Sequence, residues 1–368
     1  MRSTGFTVGV LSASCVLVIV GLILTLTELN EFKQQPTEKT WQPKPDIETP
    51  LDTGDDIEGA GASRKRLFAA APSDAIGIVV MDMQKINATG IFKQGNAGFS
   101  LSGTKNLPIE PEELGETVIF AQPGTGGGES VLTGLSTHTA DAQALEQALS
   151  DAAENTTAVE ELNAHRLAQD EFVALKGDDL ILFASTPQDL ESLIRRQDAG
   201  DGRLPSKLQS TIAPYQNSAI HFAATEIRSL KNTMSGKVPV NKVPQGIDQA
   251  AGRVDLAGSN MDVEVKVTFL ESTKAREAAD QIKTQLEQAA PAISQMIKNA
   301  QNDTQKQAFK TIKDMMDSLQ VNAVGSDLAL SLQANLDELK AEGLMQAMFS
   351  GAMGNMGGGG TPPNPGTR

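Results

Sequence analysis

The chain has 368 residues, of which 39% are hydrophobic and 4% aromatic, and a formal charge of −15. That is enough apolar material for one large domain or two ordinary ones, but so few rings argue against a stacking surface for sugars or bases. Net acidity argues against nucleic acid as a partner, since phosphates demand clustered Lys and Arg.

Phe6 to Leu26 carries no charge, and at about 1.5 Å per residue such a run crosses the ~30 Å hydrocarbon layer of a bilayer. Arg2 precedes it, while Glu28 and Glu31 follow. A single-pass membrane anchor over residues 1–28 is therefore expected, with the amino terminus cytoplasmic and the rest of the chain extracytoplasmic, in a periplasm. A cleaved signal peptide is the rival, but it has a shorter apolar region and an A-x-A-like site, and neither holds here. The single cysteine, Cys15, excludes an intrachain disulfide and a CxxC metal or redox site. As a lipidation site it lacks an aliphatic residue three positions earlier, where Ser12 stands, and the apolar run continues past it. It reads as a small residue inside the span. Gly9 and Ala13 form one small-xxx-small pair of the kind that mediates helix pairing.

Residues 29–72 read as a disordered acidic linker with Pro36, Pro43, Pro45 and Pro50. About 40 flexible residues reach of order 35 Å, so the folded part is expected to stand off the membrane. Arg64-Lys65-Arg66 reads as a solvated charge run in that linker, with contact to anionic headgroups or protease cleavage as alternatives.

Beyond the linker the chain repeats itself. DAIGIVVMDMQKI (74–86) aligns with NSAIHFAATEIRSL (217–230), so that Ile78 falls on Phe222. In both, alternating apolar residues mark a strand and an acidic residue precedes a short helix turn. Val131, Thr133 and Leu135 match Val265, Val267 and Phe269; Leu180 and Leu182 match Leu328 and Leu330. Helices follow in each case, with Thr139, Thr273 and Thr186-Pro187 as starts. Turn residues in 123–129, 176–179 and 258–260 predict hairpins. The expected fold class is α+β: two tandem copies of a β-α-ββ-α-ββ-α unit, 73–204 and 205–349, with antiparallel sheet and helices on one face. The helix at 273–319 is expected to break or kink at Pro291. A pseudo-twofold would let the edge strands of the copies protect each other. Residues 350–368 read as a disordered Gly/Pro tail.

The sequence carries no recognisable catalytic constellation. GTGGGES (124–130) has the glycines of a phosphate loop but lacks the Lys-Ser/Thr pair and lies between strands. His138, His165 and His221 read as structural, and no HExxH, GxSxG, SxxK or calcium-loop pattern occurs. His221 is the most interesting of the three, since Gly77 takes its place in the other copy. Met345, Met348, Met353 and Met356 have the thioethers for Cu(I) or for docking in a groove, but read as a last helix fraying into the tail. Asn87, Asn155 and Asn302 fit the glycosylation triplet. No catalytic, cofactor or metal residue is assigned.

The DAIGIVVMDMQKI opening, the TFLESTKAREAADQIKTQL step from strand to helix and the Gly-rich tail resemble uncharacterised single-pass bacterial proteins of the planctomycete type, with a Pro-rich linker and an exported α+β domain. The resemblance implies no activity and carries no site. The expected function is a membrane-anchored extracytoplasmic, non-catalytic binding or scaffold protein with an envelope protein or ligand as partner. The alternatives are a carrier of a lipid or other apolar ligand between sheet and helices, and a hydrolase-like enzyme with an unrecognised site.

Overall fold

The computed structural model of the protein describes residues 62–90, 108–123, 131–167, 171–225, 246–300 and 302–341. The expected span Phe6–Leu26, Cys15, the 124–130 loop and the C-terminal methionines lie outside the described residues. Among the described residues, no helix is long and apolar enough to cross a membrane.

The first element corrects the linker boundary. Ala62–Phe68 is a helix, α1, inside the stretch read as disordered. Leu67 is fully buried and Arg64 is only 8% exposed, so Arg64 is not solvated, whereas Lys65 and Arg66 remain exposed. β1 (Gly77–Asp82) follows and ends where Asp82 accepts the backbone N–H of Lys85, capping α2 (Met83–Ala88). Next come β2 (Leu114–Gln122), β3 (Val131–His138) and α3 (Ala142–Ala152), the last capped by Asp141 rather than Thr139. The hairpin β4 (Asn155–Val159) and β5 (Leu162–Leu167) adds a pair absent from the predicted unit. β6 (Glu171–Lys176) and β7 (Leu180–Ala184) meet at Gly177, whose φ of 66° fits the predicted turn. α4 (Pro187–Ala199) starts at the Thr186 cap, and α5 (Ser206–Ile212) leads toward β8 (Ile220–Thr225).

β9 (Ile247–Ala257) and β10 (Asn260–Phe269) form the hairpin around Gly258. α6 (Ser272–Asn299) then runs through Pro291, and the break before α7 (Asp303–Ser318) falls at 300–302 instead. Ala300 leaves the helical region with ψ of 131°, and Asp303 lies in the first turn of the next helix. β11 (Gln320–Val324), β12 (Asp327–Asn335) and α8 (Leu336–Ala341) complete the described chain.

The twelve described strands make one sheet in the order β11-β12-β10-β9-β8-β1-β2-β3-β7-β6-β5-β4, antiparallel at every pairing. Helices cover both faces, not one. Leu67 of α1, Leu190 and Leu193 of α4, and Leu208 and Ile212 of α5 pack with Ile78, Val118, Phe120 and Leu182 on one side. Ile86 of α2, Leu145 and Leu149 of α3 and Ala275 of α6 pack with Val79, Ile119, Phe222 and Val265 on the other. The clue is that β1 and β7 are buried along nearly their whole length, as a strand covered on both faces must be. β10 instead alternates strictly, and only one of its faces joins a core layer.

The sequence matches themselves need correction. Ile78, Leu135 and Leu182 lie in one core layer, whereas Phe222, Phe269 and Leu330 lie in the other. A rotation exchanging antiparallel neighbours β1 and β8 within one sheet keeps each face on its own side. Residues matched at 144 positions, 78 with 222, therefore cannot be structural equivalents. A shift by one residue turns every side chain to the opposite face, so only an odd separation would put the two stretches on the same face. Gly77, on the other face, is then not the counterpart of His221.

Packing within the sheet is tight at Gly134, where a Cβ would lie 2.2 Å from Cζ of Phe183 and 2.8 Å from the carbonyl oxygen of Val118. Gly134→Ala is expected to cost about 2–3 kcal/mol in a urea melt, as overpacked cores do. Adding Phe183→Leu should recover part of it; a neutral Gly134→Ala would show that β3 and β7 are further apart than described.

Candidate functional site

Around the centre of the sheet, where β1 and β8 pair, Arg64, Thr117, Ser218, His221 and Thr225 are buried polar residues. His221 sits opposite Val80 on β1 and Arg253 on β9. Its residue is 1% exposed, and neither ring nitrogen has a hydrogen-bond partner among the described residues. Burial is the main force pushing its pKa down from 6.5 to about 3, and the cations Arg64 and Lys85 push the same way. The Ser218 backbone and Asp82 oppose this but weakly, and Ser218 approaches without a hydrogen bond of normal geometry.

The cations are fixed by their own partners. Arg64 donates to the Glu116 carboxylate of β2 and to the carbonyl of Gln216, in the turn before β8. Lys85 Nζ donates to the Asn217 carbonyl at 2.9 Å and lies 3.3 Å from Asp82. One short turn thus ties α1, α2, β2 and β8 together over the neutral imidazole. Tyr215, beside this turn, has its pKa pushed up to about 12, first by burial and then by Glu264. Neither ring suits proton transfer at neutral pH with a reagent from solvent: His221 is closed off, and Tyr215 holds its proton.

His138, at the end of β3, is 4% exposed, and its ring nitrogens also have no hydrogen-bond partner among the described residues. Burial lowers its pKa, against the Ala140 backbone, Asp179 and Glu113.

His165 differs. It is 1% exposed, yet both nitrogens are engaged: Nδ1 lies 3.1 Å from Thr156 Oγ1 and Nε2 2.9 Å from Glu146 Oε1. Asn163 Nδ2 donates to the same Glu146 oxygen at 3.0 Å. Thr156 and His165 face each other across β4 and β5, and Glu146 comes down from α3. A carboxylate oxygen only accepts, so Nε2 carries the proton and Nδ1 is left to accept the threonine O–H. Hydroxyl, imidazole and carboxylate form one relay, with the hydroxyl on the outermost strand.

In sequence His165 reads only as structural and Asn155-Thr156-Thr157 only as a glycosylation triplet. Part of the signal is legible: Val159 pairs with Leu162 around Glu160-Glu161, which puts Thr156 opposite His165. The third member, on a separate helix, is fixed by packing alone. Asn155 begins β4 and is exposed, and Asn302 lies between α6 and α7. Among the described residues, no three His, Cys, Asp or Glu side chains converge to hold a metal ion.

No family model matches the chain, and no curated protein matches it. Three crystal forms of TP0453 are similar in structure. Form III has 8% identity and a TM-score of 0.44, covering 75% of this chain and 96% of that one. Form I has 8% and 0.41, covering 77% and 97%. Form IV has 9% and 0.40, covering 77% and 98%.

Proposed function

We propose that the chain is a membrane-anchored extracytoplasmic binding or scaffold protein, not an enzyme of turnover, held by Phe6–Leu26 with its amino terminus inside. The observation that carries the binding reading is the charged face of β9, β10 and β12. There Arg253 lies 3.0 Å from both Asp255 and Glu264, and Lys266 lies 2.7 Å from Asp327, with side chains between 33% and 49% exposed. Such pairs are worth about 0–1 kcal/mol each, so exchanging them for a partner's charges costs little. The carrier reading has no comparable support, since Leu67, Leu180, Leu190 and Leu193 fill the layer beside the sheet and are fully buried. The mirrored strand order on either side of β1 and β8 also favours descent of both halves from one copied unit, aligned at an odd separation.

The anchor and its sidedness are tested together. Lys266→Cys is expected to react with a membrane-impermeant maleimide in intact cells, and labelling only after lysis would overturn the topology. For the binding face, a photo-crosslinker at exposed Ala329 should give a discrete adduct that Lys266→Glu removes. Adducts unaffected by that charge reversal would sink the choice of face.

A further inference from the structure

We propose that Thr156 is an acyl-acceptor site: its hydroxyl, activated by His165 and oriented through Glu146, takes an acyl group from an activated ester or thioester. The inference goes beyond the binding reading and does not rest on it.

Three features set Thr156 apart from an ordinary surface hydroxyl. Its oxygen is 3.1 Å from a ring nitrogen that accepts, because Glu146, 2.9 Å from the other nitrogen, fixes the tautomer. The base is itself buried, at 1% exposure, so packing holds the ring in place. The hydroxyl is on β4, the last strand of the sheet, in an exposed residue, so an acyl donor reaches it without opening the core. A β-branched side chain on a strand also has few rotamers, which keeps Oγ1 on the ring. Glu146 is a positioning residue; Asn163, donating to it at 3.0 Å, steadies the carboxylate in turn. His221 and His138, also buried, have no hydrogen-bonded hydroxyl among the described residues.

The step balances without redox chemistry. Thr156 Oγ1 attacks the acyl carbonyl carbon while His165 Nδ1 takes its proton. The tetrahedral intermediate collapses, the C–O or C–S bond to the leaving group breaks, and His165 returns the proton to the departing alcohol or thiol. The products are O-acyl-Thr156 and that alcohol or thiol, in one loading event per chain.

The test uses the full chain and p-nitrophenyl acetate, following p-nitrophenolate release and locating acetyl groups by peptide mass. One acetyl on Thr156 is expected, with Thr157 as internal control: it is exposed on the same strand but pairs with Ala164 rather than His165. His165→Gln should slow loading about 100-fold, the lower end of what a positioned base supplies. Glu146→Gln should slow it without shifting the melting temperature, and Glu146→Asp should restore part of the rate. Thr156→Val should abolish loading, and Thr156→Ser should retain it. If His165→Gln does not fold, the exposed Thr156 pair of variants decides. Equal labelling of Thr156 and Thr157, or an undiminished burst in Thr156→Val, overturns the proposal.

Discussion

Arg64→Met is expected to lower the stability of the folded chain by about 3–4 kcal/mol, read as a fall in the urea midpoint with an unchanged slope. The side chains of Arg64 and Glu116 are 9% and 14% exposed, so water screens the pair poorly. Removing one member of such a pair leaves the other charge buried and unpaired, which typically costs about 3–5 kcal/mol. The Gln216 carbonyl loses its donor as well. Replacing both members with apolar residues, Arg64→Met with Glu116→Leu, should recover most of the loss, because the penalty lies in the orphaned charge more than in the missing attraction. A single-variant cost below about 1 kcal/mol would mean that α1 is not docked on the sheet, and the linker would have to be extended to residue 72 as first read.

Acid should unfold the protein through His221. In the unfolded chain a histidine titrates near 6.5, whereas burial holds the folded pKa at about 3. Between those values the unfolded state binds the extra proton, so stability rises with pH through the window and is complete above about 6.5. Falling through the window removes about 4–5 kcal/mol, at 1.36 kcal/mol per pH unit. His138, lowered by the same cause, adds to the loss with the same sign. His221→Leu should flatten most of the pH dependence in melts from pH 8 to 4. At pH 7 it should be no less stable than the native chain, since it removes ring nitrogens that have no partner among the described residues. Equal slopes for both proteins would exclude His221 as the sensor. The two experiments are linked, because Arg64 helps hold the His221 pKa down. Arg64→Met should therefore move the window toward its unfolded limit and make it shallower.

The class of fold was legible because strand alternation, turn glycines and helix caps are local. Gly177, Gly258 and Thr186 each do what their chemistry predicts. What escaped was decided at a distance. β1 is buried on both faces, and Ile78-Val79-Val80-Met81 accordingly has no polar face, although its alternate apolar residues also fit a one-sided strand. The matches between 78 and 222 or 182 and 330 rest on pattern, and pattern does not show which sheet face a residue takes. Arg64 looked like a solvated charge because its partners are 52 and 152 positions away. For the sites, the pairing of Thr156 with His165 follows from one tight turn, whereas Glu146 arrives from another element. The isolation of His221 depends on four elements closing over it at once.

The adjacency of β1 and β8 also dictates a timetable. In a chain that emerges amino terminus first, β1 forms with β2 on one flank and bare backbone on the other. Its second neighbour is about 140 residues further on, and until that strand arrives the Arg64 clamp lacks Gln216 as well. Contacts so far apart in sequence form slowly, and an open apolar strand edge invites pairing with other chains. The half-emerged molecule therefore cannot finish alone. Its central seam stays open until β8 has emerged, and only then is the exposed edge of β1 protected from other chains.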